Sequence, residues 1–172
     1  LKYINNMDIY NSREKTSQDI YDSFNHLVFS HDSSVFFKMI VKINLYNTIK
    51  NLNGDILEFG VFKGASIALW LQLLKLNEPN ALTSVIGFDF FDKNKTLKNL
   101  KKKNKKLMGD VLSRERNNKN LQMDSIFKKC NKILPNKLKL IKGDACKTCI
   151  TFKNNNPGIR IKLLYLDMDS QL

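Results

Sequence analysis

Two histidines, three prolines, three cysteines and one tryptophan are all that the 172 residues hold of those types, and each scarcity removes a class of explanation. Three cysteines are odd in number and suit a reducing compartment rather than a disulfide framework. Cys146 and Cys149 form a lone CxxC, and without a second Cys or His pair at zinc spacing it does not read as a metal knuckle. His26 and His31 lie in a polar stretch with no pattern of ligating neighbours, which leaves them surface or capping roles. No apolar run is long enough to span a membrane, and no basic start with an apolar centre opens the chain, so the expected compartment is the cytoplasm. Acidic residues are also few. Sixteen Asp and Glu stand against 29 Lys and Arg, for a net charge of +13, and such an excess ordinarily points to a polyanionic partner. Here Lys and Asn recur in segments that look like ordinary helix surface, so composition accounts for much of the charge. The densest run, Lys93 to Lys106, has no aromatics among its lysines, which a single-strand nucleic-acid platform would use for stacking.

What is present is enough apolar sequence, 42% of residues, for one core in one domain-sized chain. The stretch Gly54 to Ser66, GDILEFGVFKGAS, organises the rest. Ile56, Leu57 and Phe59 read as a short strand covered on both faces. Gly60 then allows a sharp turn and a close approach to the backbone. Gly64 repeats the device where a helix begins, and Ser66 sits in that helix's first turn, where free N–H groups favour a carboxylate or phosphate. Ala65 to Leu76 is apolar nearly all round and should be buried on more than one side, with Trp70 in the core.

Before this unit, residues 1–50 read as an N-terminal helical arm. Phe36, Met39, Ile40, Ile43 and Tyr46 mark one face of a helix that should pack on the core. After it, Ser84 to Asp89 is a second strand, so strand, glycine turn, helix and strand make a parallel βαβ unit. An acidic residue ending the second strand of such a unit can accept hydrogen bonds from ribose hydroxyls, and Asp89 is that residue. The segment at about 93–120 exceeds what a compact connection needs and reads as a basic insertion that could form a lid. Met123 to Leu134 resumes helical periodicity. Lys137 to Lys142 and Ile159 to Leu166 supply the third and fourth strands, ended by Asp144 and Asp167. Glu58, Asp89, Asp144 and Asp167 therefore lie at or near the ends of four successive parallel strands, which in open α/β sheets border one cleft.

These stretches, GDILEFGVFKGAS, VIGFDFFD, LKLIKGDA and IKLLYLDMD in that order, resemble the class I S-adenosylmethionine-dependent methyltransferases, and among them the TylF-like (macrocin O-methyltransferase) family. The resemblance runs from about Phe36 to Asp169. It implies an α/β, Rossmann-like, mostly parallel sheet in three αβα layers, truncated after the fourth strand, with residues 51–172 as an incomplete S-adenosylmethionine-binding domain. It further implies that Glu58, Gly60, Gly64 and Ser66 surround the methionine part of the cofactor, that Asp89 binds the ribose, and that Asp144 and Ala145 border the adenine. Asp167 matches the first Asp of the family's LDxD segment, which helps hold a divalent ion, usually magnesium; Ser170 and Gln171 depart from the residues that usually follow. The implied reaction is metal-assisted O-methylation of a sugar hydroxyl or related small molecule, with self-association left open. The chain begins with Leu1 and stops at Leu172, and reads as a fragment whose fourth strand would be an uncovered apolar edge, poorly soluble and inactive by itself. Two other classes remain. A nicotinamide-dependent oxidoreductase would use the same unit, but its GxGxxG turn is not met by Gly60 and Gly64 alone. A basic, non-catalytic nucleic-acid-binding module would rest on the lysine run and show steep salt dependence.

Overall fold

The computed structural model of the chain describes residues 16–100, 102–113 and 121–168. Two compact units divide it, Leu1–Asn44 and Leu45–Leu172. The first unit contains α1 (Ser17–Val28) and most of α2 (Ser34–Ile49). Thr16 starts α1 with a capping box: its hydroxyl accepts from the Asp19 N–H, and the Asp19 carboxylate accepts from the Thr16 N–H. The division falls inside α2, ahead of the boundary expected at residue 50. Within α2, Tyr46 and Ile49 are buried, whereas Phe36, Ile40 and Ile43 are exposed. The expectation that this whole face packs on the core is thus met only at the helix's carboxyl end. Periodicity shows that a face is apolar; it does not show what covers it.

The second unit is built on β1 (Asp55–Phe59), β2 (Val85–Asp89), β3 (Leu138–Lys142) and β4 (Ile161–Leu166). Their order is β3-β2-β1-β4 and all pairings are parallel. Helices α3 (Ala65–Asn77), α4 (Lys93–Asn99), α5 (Lys102–Ser113), α6 (Met123–Asn131) and α7 (Ala145–Asn155) connect them. One face of the sheet carries Ile56 and Val85 against Ile67, Trp70 and Leu74 of α3 and Ile126 and Cys130 of α6. The other carries Leu57, Phe59, Ile86 and Phe88 against Ala145, Cys149 and Phe152 of α7. These are the three αβα layers the resemblance implies.

The basic segment forms two helices where residues are described. Asp92 caps α4 by accepting from the Asn94 and Lys95 N–H groups, and Leu112 of α5 is fully buried. Residues 101 and 114–120 of the expected insertion, residues 1–15 of the expected arm, and Asp169, Ser170 and Gln171 lie outside the described residues. Helix α7 was not among the expected elements. Its Thr, Cys and Asn content is poor for a helix, yet Asp144 caps it and Ala145, Cys149 and Phe152 recur at i, i+4 and i+7 on the sheet face.

Strand β4 enters with a bulge: Ile161 pairs with Asp55 and Leu163 with Ile56, so Lys162 is the extra residue. Its ammonium lies 3.0 and 3.1 Å from the two oxygens of Glu78, whose Oε1 also accepts from the Tyr46 hydroxyl. Burial, and secondarily this bond to Glu78, pushes the Tyr46 phenol well above its ordinary range. Leu164 and Leu166 are exposed, and β4 is an edge of the described sheet. Among the described residues, no helix is long and apolar enough to cross a membrane.

Candidate functional site

Three backbone bonds bring the strand ends into register. The Gly60 N–H donates to Phe88 O, the Asp167 N–H to Phe59 O, and the Gly143 N–H to Asp89 O, each at 2.9 Å. Across the sheet, the carboxyl ends therefore run Asp167, Gly60, Asp89, Gly143–Asp144. The chain moves outward from β1 to β2 to β3, then returns to place β4 on the other side of β1. The gap between β1 and β4 is the switch point at which open α/β sheets receive ligands.

Gly60 has φ +94°, and a Cβ there would stand 2.1 Å from the Asp167 carbonyl oxygen. Only glycine lets β1 turn while β4 ends so close beside it. Val61 is buried, and Phe62 follows with φ +52°, a left-handed conformation that costs a non-glycine residue roughly 1–2 kcal/mol. What holds Phe62 there is Asp89. Its Oδ2 accepts from the Val61 N–H at 2.7 Å and the Phe62 N–H at 2.9 Å, while Oδ1 accepts from the Phe91 N–H at 3.1 Å. Gly64, with φ +82°, is the N-cap of α3 and supplies no side-chain cap. The first-turn amides of this 13-residue helix thus start at the switch point with the positive end of the helix dipole behind them. A Cβ on Gly64 would meet Ile126 Cγ2 at 2.6 Å, so the same glycine lets α6 close on the turn.

Glu58 is fully buried beneath the turn. Its Oε2 accepts from the Ser66 hydroxyl and the Trp70 indole N–H, each at 2.6 Å. Bonds of that length fix both donors, and Trp70 in turn meets the Tyr165 ring edge-on at 5.8 Å. At the β3 end, Asp144 Oδ1 accepts from the Cys146 N–H at 3.0 Å and Ala145 is buried. Asp167 is exposed at the end of β4. Among the described residues, no three His, Cys, Asp or Glu side chains converge as a cation site.

The sequence-derived residues thus fall in one row, but with two different environments. Gly60, Gly64, Asp89 and Asp144 shape or edge the carboxyl rim, while Glu58 lies under it and reaches the rim through Ser66. Sequence reasoning missed the anchoring of the Val61 and Phe62 amides by Asp89. A signal existed: a strand-end carboxylate beside a two-residue turn finds amides as readily as it finds a ligand. A hollow of about 260 Å³ that includes Asp55, Ile86, Phe152 and Gly158 lies at the opposite, amino end of the strands and contains none of these residues.

No family model and no curated protein matches the chain. Solved structures do match it. One is the apo structure of CalS11, a TDP-rhamnose 3'-O-methyltransferase of calicheamicin biosynthesis, at TM-score 0.59 and 20% identity, over 95% of this chain and 62% of that one. The fold is the α/β, Rossmann-like fold of that structure. A second CalS11 structure, described as the calicheamicin methyltransferase, matches at TM-score 0.57 and 18% identity over 90% of this chain and 69% of that one. The chain thus spans less than two thirds of the first methyltransferase structure.

Proposed function

We propose that the chain is the cofactor-binding part of an S-adenosylmethionine-dependent O-methyltransferase acting on a small molecule. The observation that carries this reading is the switch point between β1 and β4, with a positive-φ glycine turn, an uncapped helix start and a carboxylate on each neighbouring strand end. These groups fit the cofactor. The first-turn amides of α3 suit the carboxylate of its methionine part, with Gly60, Gly64 and Ser66 around it and Glu58 fixing Ser66 from below. Asp89 has about four lone-pair sites, three of them taken by Val61, Phe62 and Phe91, which leaves one on Oδ1 for a ribose hydroxyl. Asp144 and Ala145 border the adenine.

When bound, the cofactor supplies a sulfonium whose methyl group is open to in-line attack by an oxygen nucleophile. The residues of this chain bind and orient; the turn from Gly60 to Gly64 and the start of α3 would hold the cofactor's methionine part, and orientation of that kind is itself a large part of rate enhancement. A sugar hydroxyl as acceptor follows from the likeness to CalS11, whose name states such an activity. Asp167 would be this chain's contribution to a divalent-ion site; among the described residues no three His, Cys, Asp or Glu side chains converge on one.

Titration calorimetry with S-adenosylmethionine, with NAD as the control ligand, tests the reading. Binding of the first, absence of heat with the second, and an affinity at least tenfold weaker in Asp89→Asn are the expected results. Tight NAD binding, or equal affinity in the variant, would remove it.

A further inference from the structure

Cys146 and Cys149 take no part in the site described above, yet they open the helix that adjoins it. Cys146 is the second residue of α7 and is exposed; Cys149 is half-buried and packs beside the core formed by Leu57, Phe59, Ile86 and Phe88. The Cys149 Sγ lies 3.4 Å from the Cys146 carbonyl oxygen, so this thiol turns back over the opening turn. Residues three apart on a helix hold their Cβ atoms about 5–6 Å apart, and a disulfide needs about 3.5–4.5 Å. A contraction of roughly 1–2 Å would therefore join the pair. Cys146 is the residue that can move to supply it. Its N–H, at the start of the helix, has no intrahelical acceptor, and Asp144 Oδ1 holds it at 3.0 Å. Asp144 also anchors the rest of the turn, because its carbonyl oxygen accepts from the Lys147 N–H at 3.0 Å, the Thr148 N–H at 2.8 Å and the Thr148 hydroxyl at 2.9 Å. Just before it, Gly143 donates to Asp89 O, and a Cβ on Gly143 would meet Thr148 Cγ2 at 2.7 Å. The opening turn of α7 is thus tied to the carboxyl rim at β2 and β3.

We infer that Cys146 and Cys149 form a reversible thiol–disulfide pair, oxidised by a small disulfide such as glutathione disulfide, and that its closure opens the Asp144 cap at the rim. The exposed Cys146 sulfur, as thiolate, attacks one sulfur of glutathione disulfide; that S–S bond breaks and one glutathione leaves with the Cys146 proton. Cys149 then attacks the Cys146 sulfur of the mixed disulfide, the intramolecular S–S bond forms, and the second glutathione leaves with the Cys149 proton. Two protein thiols are oxidised and one glutathione disulfide is reduced to two thiols. In a reducing compartment such a bond is transient, as in redox sensing, rather than a staple of the fold. Drawing Cys146 toward Cys149 pulls its N–H from Asp144. Asp144 and Ala145 are the residues assigned to the adenine, so closure also weakens cofactor binding, a consequence that rests on the proposed function.

Incubation of the folded chain with excess glutathione disulfide, followed by mass spectrometry of the intact protein and its peptides, tests the pair. The wild type should lose two hydrogens within one peptide holding Cys146 and Cys149, leave Cys130 as a thiol, and return to the starting mass with dithiothreitol. Cys149→Ser, which lacks the resolving sulfur, should instead keep one glutathione on Cys146 at a level at least tenfold above that in the wild type. Circular dichroism checks that the variant is folded, and Cys149→Ala replaces it if not. Hydrogen exchange should be at least tenfold faster at the Cys146, Lys147 and Thr148 amides of the oxidised chain than of the reduced one, and calorimetry should find S-adenosylmethionine bound at least fivefold more weakly. A wild type that accumulates the mixed disulfide as Cys149→Ser does, that keeps both thiols, or that bridges to Cys130 or a second copy overturns the pair. An oxidised chain whose α7 amides exchange at the reduced rate overturns the opening of the cap. Should the reduced chain bind no S-adenosylmethionine, the proposed function fails, and the mass and exchange results still decide the inference.

Discussion

Replacing Asp89 tests what holds the turn after β1. In the structure its carboxylate accepts from the Val61, Phe62 and Phe91 amides, and Val61 and Phe91 are themselves buried. Asp89→Ala leaves these N–H groups without their acceptor. A hydrogen bond to a charged group contributes about 1.5–3 kcal/mol when buried, and partial solvation of this rim reduces each bond to about 1 kcal/mol. Three bonds then sum to about 3 kcal/mol. Release of Phe62 from its left-handed conformation returns about 1 kcal/mol, so the expected net loss is about 2 kcal/mol. Asp89→Asn keeps one acceptor oxygen but turns an amide N–H₂ toward a backbone donor, and should lose about 1 kcal/mol. Urea unfolding measures both, and hydrogen exchange locates them, with faster exchange confined to the Val61 and Phe62 amides and the Phe91 region. A loss below about 0.5 kcal/mol in Asp89→Ala, with these amides unchanged, would show that the carboxylate does not hold the turn.

Gly60→Ala should destabilise by about 3–5 kcal/mol, since it adds left-handed strain to a 2.1 Å approach to the Asp167 carbonyl; Gly109→Ala on α5, where a Cβ would meet nothing within 4 Å, should instead stabilise by about 0.5–1 kcal/mol, both read by urea unfolding. Trp70→Phe removes the indole donor from Glu58 and should cost about 2 kcal/mol, with the loss of Trp–Tyr165 edge packing visible in near-ultraviolet circular dichroism. Burial pushes the Cys130 thiol up to about 11, despite a smaller opposing effect of Lys129. Its folded-state value lies above its unfolded one, so the unfolded chain gives up this proton first as pH rises. The contribution is whole below about pH 9 and lost between about 9 and 11, a slope that Cys130→Ala should flatten in unfolding experiments; at pH 8 the native thiol should resist an aromatic disulfide reagent that modifies exposed Cys146.

How much was legible follows from what each signal encodes. The four strands are short apolar runs ended by carboxylates, and their order along the chain with glycine at the first turn leaves few topologies; the sheet is the one expected. Strand β4 begins later than the expected Ile159, whose N–H instead donates to Asn156 O and closes the preceding turn; within β4, Lys162 bulges toward Glu78, a long-range ion pair that no local pattern announces. Helix α6 ends at Asn131 rather than Leu134, and Asn131 instead accepts from the Asn136 N–H to close the turn around Pro135. Helix α7 escaped because its residues favour other structure individually and only its cap and sheet-facing stripe specify it. At the site, residue types and positions could be read in advance. Which atoms of Asp89 are already engaged could not, because that depends on the path of a turn whose Phe62 sits in a conformation its own side chain disfavours.

The most direct test of the cofactor reading is a titration of the ¹⁵N-labelled chain with S-adenosylhomocysteine, followed amide by amide. The expected shifts cluster at Gly60 to Ser66, at Asp89 to Phe91 and at Gly143 to Cys146, three segments joined only by their place at the carboxyl rim. Shifts confined to the lysine-rich α4 and α5, or no shifts from a folded chain, would contradict it.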